Sequence, residues 1–180
     1  MKRIILLLIF FPFLTVSQNI DHWETVVFDA DIWRYLEGTY EPDTNWRKIG
    51  FNDVSWLQGQ GGIGYGDNDD STIINPVTSL YLRNEFNIID TAQITAAVLH
   101  VDYDDAFVAF INGVEITRDN IDGAAPNYLS LANTDKEAKI YTGGDPDHYD
   151  LMDFLDLLRE GENVLAIQVH NNVPSSSDLT

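Results

Sequence analysis

Apolar positions in this chain recur mostly with a period of two. From Trp23 onward, short runs of β-branched and aromatic residues are separated by Gly, Asn, Asp and Pro, which is how an antiparallel sandwich reads. The pattern predicts strands over residues 25–28, 80–88, 94–103, 106–111, 114–117 and 163–170. In 80–88, alternation puts Leu80, Leu82, Phe86 and Ile88 on one face and Tyr81, Arg83, Glu85 and Asn87 on the other, a strand with one face in the core. Ile111-Asn112-Gly113-Val114 is a hairpin signal, because both central positions of a type I′ turn need positive φ, which Asn and Gly tolerate. The strands on either side of it are expected to pair. Helical spacing occurs once, over 150–158, with Asp147 before it as N-cap and Gly161 just past its end. This short helix is expected to plug one end of the sandwich, and the polar stretch between Arg118 and Lys139 to form a long surface loop.

The first residues follow a different rule. Lys2 and Arg3, an apolar run over 4–14 and the small residues Thr15-Val16-Ser17 predict a signal peptide over 1–17, cleaved after Ser17. A membrane span needs about 20 apolar residues, and Gln18, Asn19 and Asp21 interrupt too soon. The protein is therefore expected to be secreted or held at the cell surface, with no membrane span. Residues 18–180 fit one domain, long enough to bury roughly 70% of its unfolded surface without disulfides.

Charge and cysteine usage narrow the function classes. The chain carries 29 acidic against 10 basic residues, a net charge of −19, and loss of Lys2 and Arg3 with the signal takes it to −21. Such a surface repels phosphate backbones, so nucleic acid is not an expected partner. The absence of Cys excludes thiol catalysis, thiolate metal sites and a disulfide framework. In an exported chain with no Asn-x-Ser/Thr acceptor, it also points to a bacterial source.

Several motifs invite a chemical reading and also have a plainer one. Gly59-x-Gly61-x-x-Gly64 has the letters of a dinucleotide fingerprint, but no helix follows it and Asp67, Asp69 and Asp70 come next, so a glycine-rich turn is expected. Asp67-x-Asp69-x-Ser71 opens like a calcium loop, yet Thr72 and Thr78 stand where an EF-hand needs Gly and Glu. A structural Ca²⁺ on Asp67, Asp69 and Asp70 is an open alternative to a solvated acidic loop. His170 with Ser175, Ser176, Ser177 and Asp178 has the residue types of a hydrolase triad, crowded into one segment without a Gly-x-Ser-x-Gly elbow. The four His (His22, His100, His148, His170) show no metal-ligand spacing, and no metal site or cofactor is otherwise expected. Trp23, Trp33, Tyr35, Trp46, Trp56 and Tyr65 crowd the first third of the chain. Exposed, such rings could stack on sugar faces; each taken singly fits better as core.

In order, Trp33-Arg-Tyr35-Leu, Trp46, Phe51-Asn-Asp53-Val-Ser-Trp56, Gly62-Ile-Gly64-Tyr65-Gly66-Asp67, Tyr81-Leu-Arg83-Asn-Glu-Phe86, Asp104-Asp105, Ile111-Asn112-Gly113-Val-Glu, Arg118-Asp-Asn120, Gly161-Glu-Asn163-Val-Leu-Ala-Ile-Gln-Val-His170-Asn171 and Ser176-Ser177-Asp178 form a series. Over nearly the whole mature chain it resembles the galactose-binding-like jelly-roll module of large secreted Bacteroidetes-type proteins. The resemblance implies an all-β, antiparallel jelly-roll β-sandwich, found beside lamin-tail, spore-coat-kinase-like, metallophosphoesterase or glycoside hydrolase domains. Where the family has Asp-Asp-Gly, this chain has Asp104-Asp105-Ala106. The family also runs past Ser-Ser-Asp-Leu into a further strand, so the chain is expected to be a piece of a longer protein, truncated at its C-terminus.

The function expected from this reading is a non-catalytic carbohydrate-binding or adhesion module. Its partners would be a polysaccharide or glycan and neighbouring domains of the same chain, and its ligand site would lie among loops at one end of the sandwich. Asp104, Arg118, His170 and Asn171 are the candidate ligand-binding residues, being polar groups at strand ends where sugar hydroxyls could be met. The plainer alternative gives Asp104 and Arg118 loop hydrogen bonds and an ion pair, and His170 a satisfied strand-end imidazole. A second function is a structural spacer packed against a secreted hydrolase or phosphoesterase domain. A third, a hydrolase in its own right, would require a cluster of carboxylates in one cleft.

Overall fold

The computed structural model describes residues 22–66 and 70–180. The expected signal peptide over 1–17, and Asp67 and Asp69 of the expected calcium loop, lie outside the described residues. In chain order the strands are β1 (Ile32–Glu37), β2 (Leu57–Gln60), β3 (Ile63–Gly64), β4 (Thr72–Ile73), β5 (Ser79–Ile88), β6 (Val98–Val101), β7 (Ala106–Ile111), β8 (Val114–Asp119), β9 (Asp147–Asp150) and β10 (Gly161–His170). Six of them form one antiparallel sheet in the order β2-β1-β5-β10-β7-β8. Strands β6 and β9 form a second antiparallel sheet, and β3 with β4 a short parallel pair. The molecule is the all-β sandwich that the alternation predicts.

The large sheet is buried on both faces, which the alternation did not show. One face sets Trp33, Leu80, Phe107, Ile167 and Val169 against Leu99 of the second sheet, Tyr103 and Leu151. The other face, carrying Tyr81, Val108, Phe110, Val164 and Ala166, is covered by Trp46 and Trp56 from the β1–β2 connection and by Ile121 and Ala132 from the segment after β8. Tyr81 and Arg83, expected on a solvent face, are therefore fully enclosed. The stretch expected as a surface loop is in part a lid on this second core. Trp46 anchors it, its ring 5.1–6.0 Å from those of Tyr81, Phe110 and Trp56. Of the six early aromatics only Trp23 is exposed, at 71%.

Three expected elements are corrected. Residues 25–28 form no strand, and of the expected 94–103 only Val98–Val101 is strand. The helix over 150–158 is a 3-10 turn, Met152–Leu157. Asp147 cannot cap it because it belongs to β9; Asp150 instead accepts the Met152 N–H at 2.8 Å. β1, β2, β3, β4 and β9 are additions. β1 and β2 hide because polar side chains interrupt the apolar pattern, as in Ile-Trp-Arg-Tyr-Leu-Glu, and Asp-His-Tyr-Asp of β9 reads as an acidic helix start.

The β7–β8 hairpin turns at Asn112 (φ 53°) and Gly113 (φ 93°), as type I′ chemistry requires. A Cβ on Gly113 would also stand 2.7 Å from the Lys48 side chain. The Asn112 amide does more than turn the chain: Nδ2 donates to the Leu157 carbonyl (2.9 Å) and to Asn163 Oδ1 (2.8 Å), and Oδ1 accepts the Val164 N–H (2.9 Å). Asn112→Ala strands the acceptors and a buried N–H together, and the expected loss is about 2 kcal/mol. Urea unfolding of the variant checks this.

Candidate functional site

Register decides what the end of the large sheet can present. His170, the last residue of β10, lies between Ser79 of β5 and Ala106 of β7. Alternation puts its side chain on the face carrying Ala166 and Val164, and Asn171 beyond it turns the other way. Both are fully enclosed. The His170 Nδ1 stands 2.9 Å from the Ser130 carbonyl oxygen. Since that oxygen only accepts, Nδ1 carries the proton and Nε2 keeps a lone pair, which has no partner. Burial holds the imidazole pKa down to about 4, with the Arg118 charge lowering it further, so His170 is neutral at ordinary pH.

Asn171 Nδ2 donates to the Tyr65 hydroxyl and to the Val77 carbonyl, each at 2.9 Å. Arg118, half-buried on β8, is held bidentately by Glu115 at 2.6 and 2.7 Å and also donates to the Gly123 carbonyl. Its ion pair is thus with Glu115. Asp104 is buried, and the peptide joining it to Asp105 is cis. Asp105 accepts the Lys136 and Asn172 N–H groups at 2.7 Å each, tying two loops to the start of β7. The structure brings the four candidate residues to one end of the sheet but divides them between its faces, with three of the four sealed from solvent. Arg118, His170 and Asn171 each bond to groups of the protein itself.

The hydrolase-like residues do not assemble. Ser176 and Ser177 donate to Asp178 Oδ1 at 3.2 and 3.3 Å, while His170 faces Ser130. Gly64 of the glycine motif answers to close packing: a Cβ there would lie 1.9 Å from the Leu179 carbonyl oxygen, beside the Tyr65–Leu179 bridge. Carboxylate oxygens of Asp104, Glu137 and Asp178 come within 4.8 Å of one another. Such oxygens suit a hard cation. Sequence spacing offered no sign of this grouping, which draws on three separate segments.

The outer face of the second sheet is open. Opposite residues of β6 and β9 pair Val98 with Asp150 and His100 with His148, and these side chains point outward while Leu99 and Tyr149 pack inward. Trp23 and Met152 join them around a shallow depression of about 590 Å³. The depression combines one exposed indole, two imidazoles, a carboxylate and an apolar floor, a composition suited to a ligand with apolar faces and polar edges. Sequence reasoning missed it because β9 was assigned to a helix start; the signal available was the alternation of Asp147, His148, Tyr149 and Asp150.

No family model matches the chain, and no curated protein matches it. Solved structures do. A calcium-binding mutant of β-glucuronidase 2 from Bacteroides uniformis matches with a TM-score of 0.50 and 14% identity, over 83% of this chain and 15% of that one. A β-glucuronidase of glycoside hydrolase family 2 gives 0.49 and 17%, over 82% and 14%. One from an uncultured Clostridium gives 0.48 and 20%, over 84% and 24%. This chain thus spans under a quarter of the length of these enzymes, and at such identities the likeness is one of fold.

Proposed function

We propose that this chain is a non-catalytic, carbohydrate-binding accessory module of an exported multidomain protein, and that it holds its glycan on the outer face of β6 and β9. The observation that carries this reading is the exposed Trp23 indole beside His100, His148 and Asp150. An indole stacks on the apolar face of a sugar ring, and flanking polar groups meet its hydroxyls. The basic and apolar start of the chain supports the exported part of this reading. An accessory role is in keeping with a fold that makes up 15% of a β-glucuronidase.

Affinity electrophoresis through soluble plant and algal polysaccharides tests the proposal. Retardation by at least one polysaccharide is expected, with Trp23→Ala weakening it tenfold or more, about 1.4 kcal/mol. The spacer reading has its own support in Ile89 and Ile73, exposed at 95% and 77%, which a neighbouring domain could cover. A chain that migrates freely through every polysaccharide would favour the spacer.

A further inference from the structure

His100 and His148 form a second kind of site. The Leu151 N–H donates to the Ala97 carbonyl, which marks 97 and 151 as a hydrogen-bonded pair. Alternation along the antiparallel ladder then makes 100 and 148 a non-hydrogen-bonded pair, the type whose side chains approach most closely. Their ring centroids stand 6.2 Å apart, with the planes inclined at 33°. Two imidazoles sharing one ion at metal–nitrogen bonds of about 2.0–2.1 Å place their centroids roughly 5–6.5 Å apart, so a small rotation of either ring suffices. Both rings are exposed, and among the described residues neither has a hydrogen-bond partner, which leaves their nitrogens open to a ligand.

We propose that His100 and His148 chelate one divalent transition-metal ion, with water completing its shell. Neutral imidazole suits Cu²⁺, Ni²⁺ and Zn²⁺, and the general affinity order puts Cu²⁺ first; Ca²⁺ and Mg²⁺ prefer oxygen and are not taken here. Asp150, two residues beyond His148 on the same face, adds a favourable negative charge, as does the chain's net charge of −19. The site goes beyond the glycan reading and does not require it. A module without polysaccharide affinity would still bind copper.

Calorimetric titration of the mature chain with Cu²⁺, paired with Trp fluorescence, tests the site. One equivalent is expected to bind and to quench Trp23, the exposed indole beside the pair. His100→Ala and His148→Ala should each weaken binding at least tenfold, with circular dichroism confirming the fold, while His22→Ala changes nothing. Trp23→Ala should keep the affinity and lose the quenching, even as it removes glycan retention, which separates failure of one reading from failure of the other. Unchanged copper affinity in both His100→Ala and His148→Ala, or equal affinity for Ca²⁺, would overturn the proposal.

Discussion

Replacing Arg83 with methionine is expected to lower the unfolding free energy by about 3–5 kcal/mol, the usual cost of removing one partner from a buried ion pair. The Arg83 guanidinium is fully enclosed, with Nε 2.8 Å from Asp53 Oδ2 and one terminal nitrogen 3.2 Å from Glu85 Oε1. Its other nitrogen donates to the carbonyls of Trp46 and Lys48. One side chain on β5 therefore satisfies four acceptors, three of them on the β1–β2 connection that lids the second face. Methionine fills much of the volume but strands Asp53 and two carbonyls in a low-dielectric interior, leaving Asp53 only the looser Arg34 contact at 3.7 Å. Asp53→Asn keeps an acceptor facing Arg83 and should cost less. Urea unfolding of both variants is the check; a loss under 1 kcal/mol for Arg83→Met would mean that the connection is held by its aromatic rings alone.

Acid should destabilise the protein through His170 by about 3 kcal/mol. The imidazole pKa is about 4 in the fold against an ordinary 6.5. As pH falls through 6.5 the unfolded chain takes up a proton that the folded chain refuses until pH 4. The contribution is therefore complete above pH 6.5, shrinks between 6.5 and 4, and is gone below. Asp105 opposes this in direction: burial raises its pKa, so its contribution is greatest at low pH and is lost as pH rises. Comparing urea unfolding of wild type and His170→Asn at pH 7 and pH 4 isolates the histidine, and the gap between the two proteins should narrow by about 3 kcal/mol at pH 4. Proton NMR of the His170 imidazole gives an independent reading. Titration near 6.5 in the folded protein would show that the ring is not sealed.

Sequence patterning exposed the strands whose neighbours alternate cleanly. β5, β7, β8 and β10 are legible because Leu80, Phe86 and Ile88, or Ala106 to Ile111, supply enough β-branched and apolar density, and Asn112-Gly113 states its own turn. β1 is not legible, because Arg34 and Glu37 break its apolar run even though Trp33 and Tyr35 do alternate toward the core. The lid over Tyr81 is a tertiary fact: nothing in Trp46 or Trp56 alone says which face they cover. For the site, residue type was informative and burial was not. His170 and Asn171 are polar groups at a strand end, as expected of ligand contacts, yet their partners Ser130, Tyr65 and Val77 arrive from distant segments and close them in. His100 and His148 are 48 residues apart in the chain and meet only through a four-residue pairing, which no local spacing announces.

On the proposal above, a glycan meets the outer face of β6 and β9 and leaves the end of the large sheet untouched. The decisive measurement is a set of backbone amide shifts recorded during titration with a retained polysaccharide fragment. Trp23, Val98, His100, His148 and Asp150 are expected to move together while Asp104, Arg118, His170 and Asn171 stay in place. Shifts concentrated on those last four, with the β6–β9 face unmoved, would overturn the proposal.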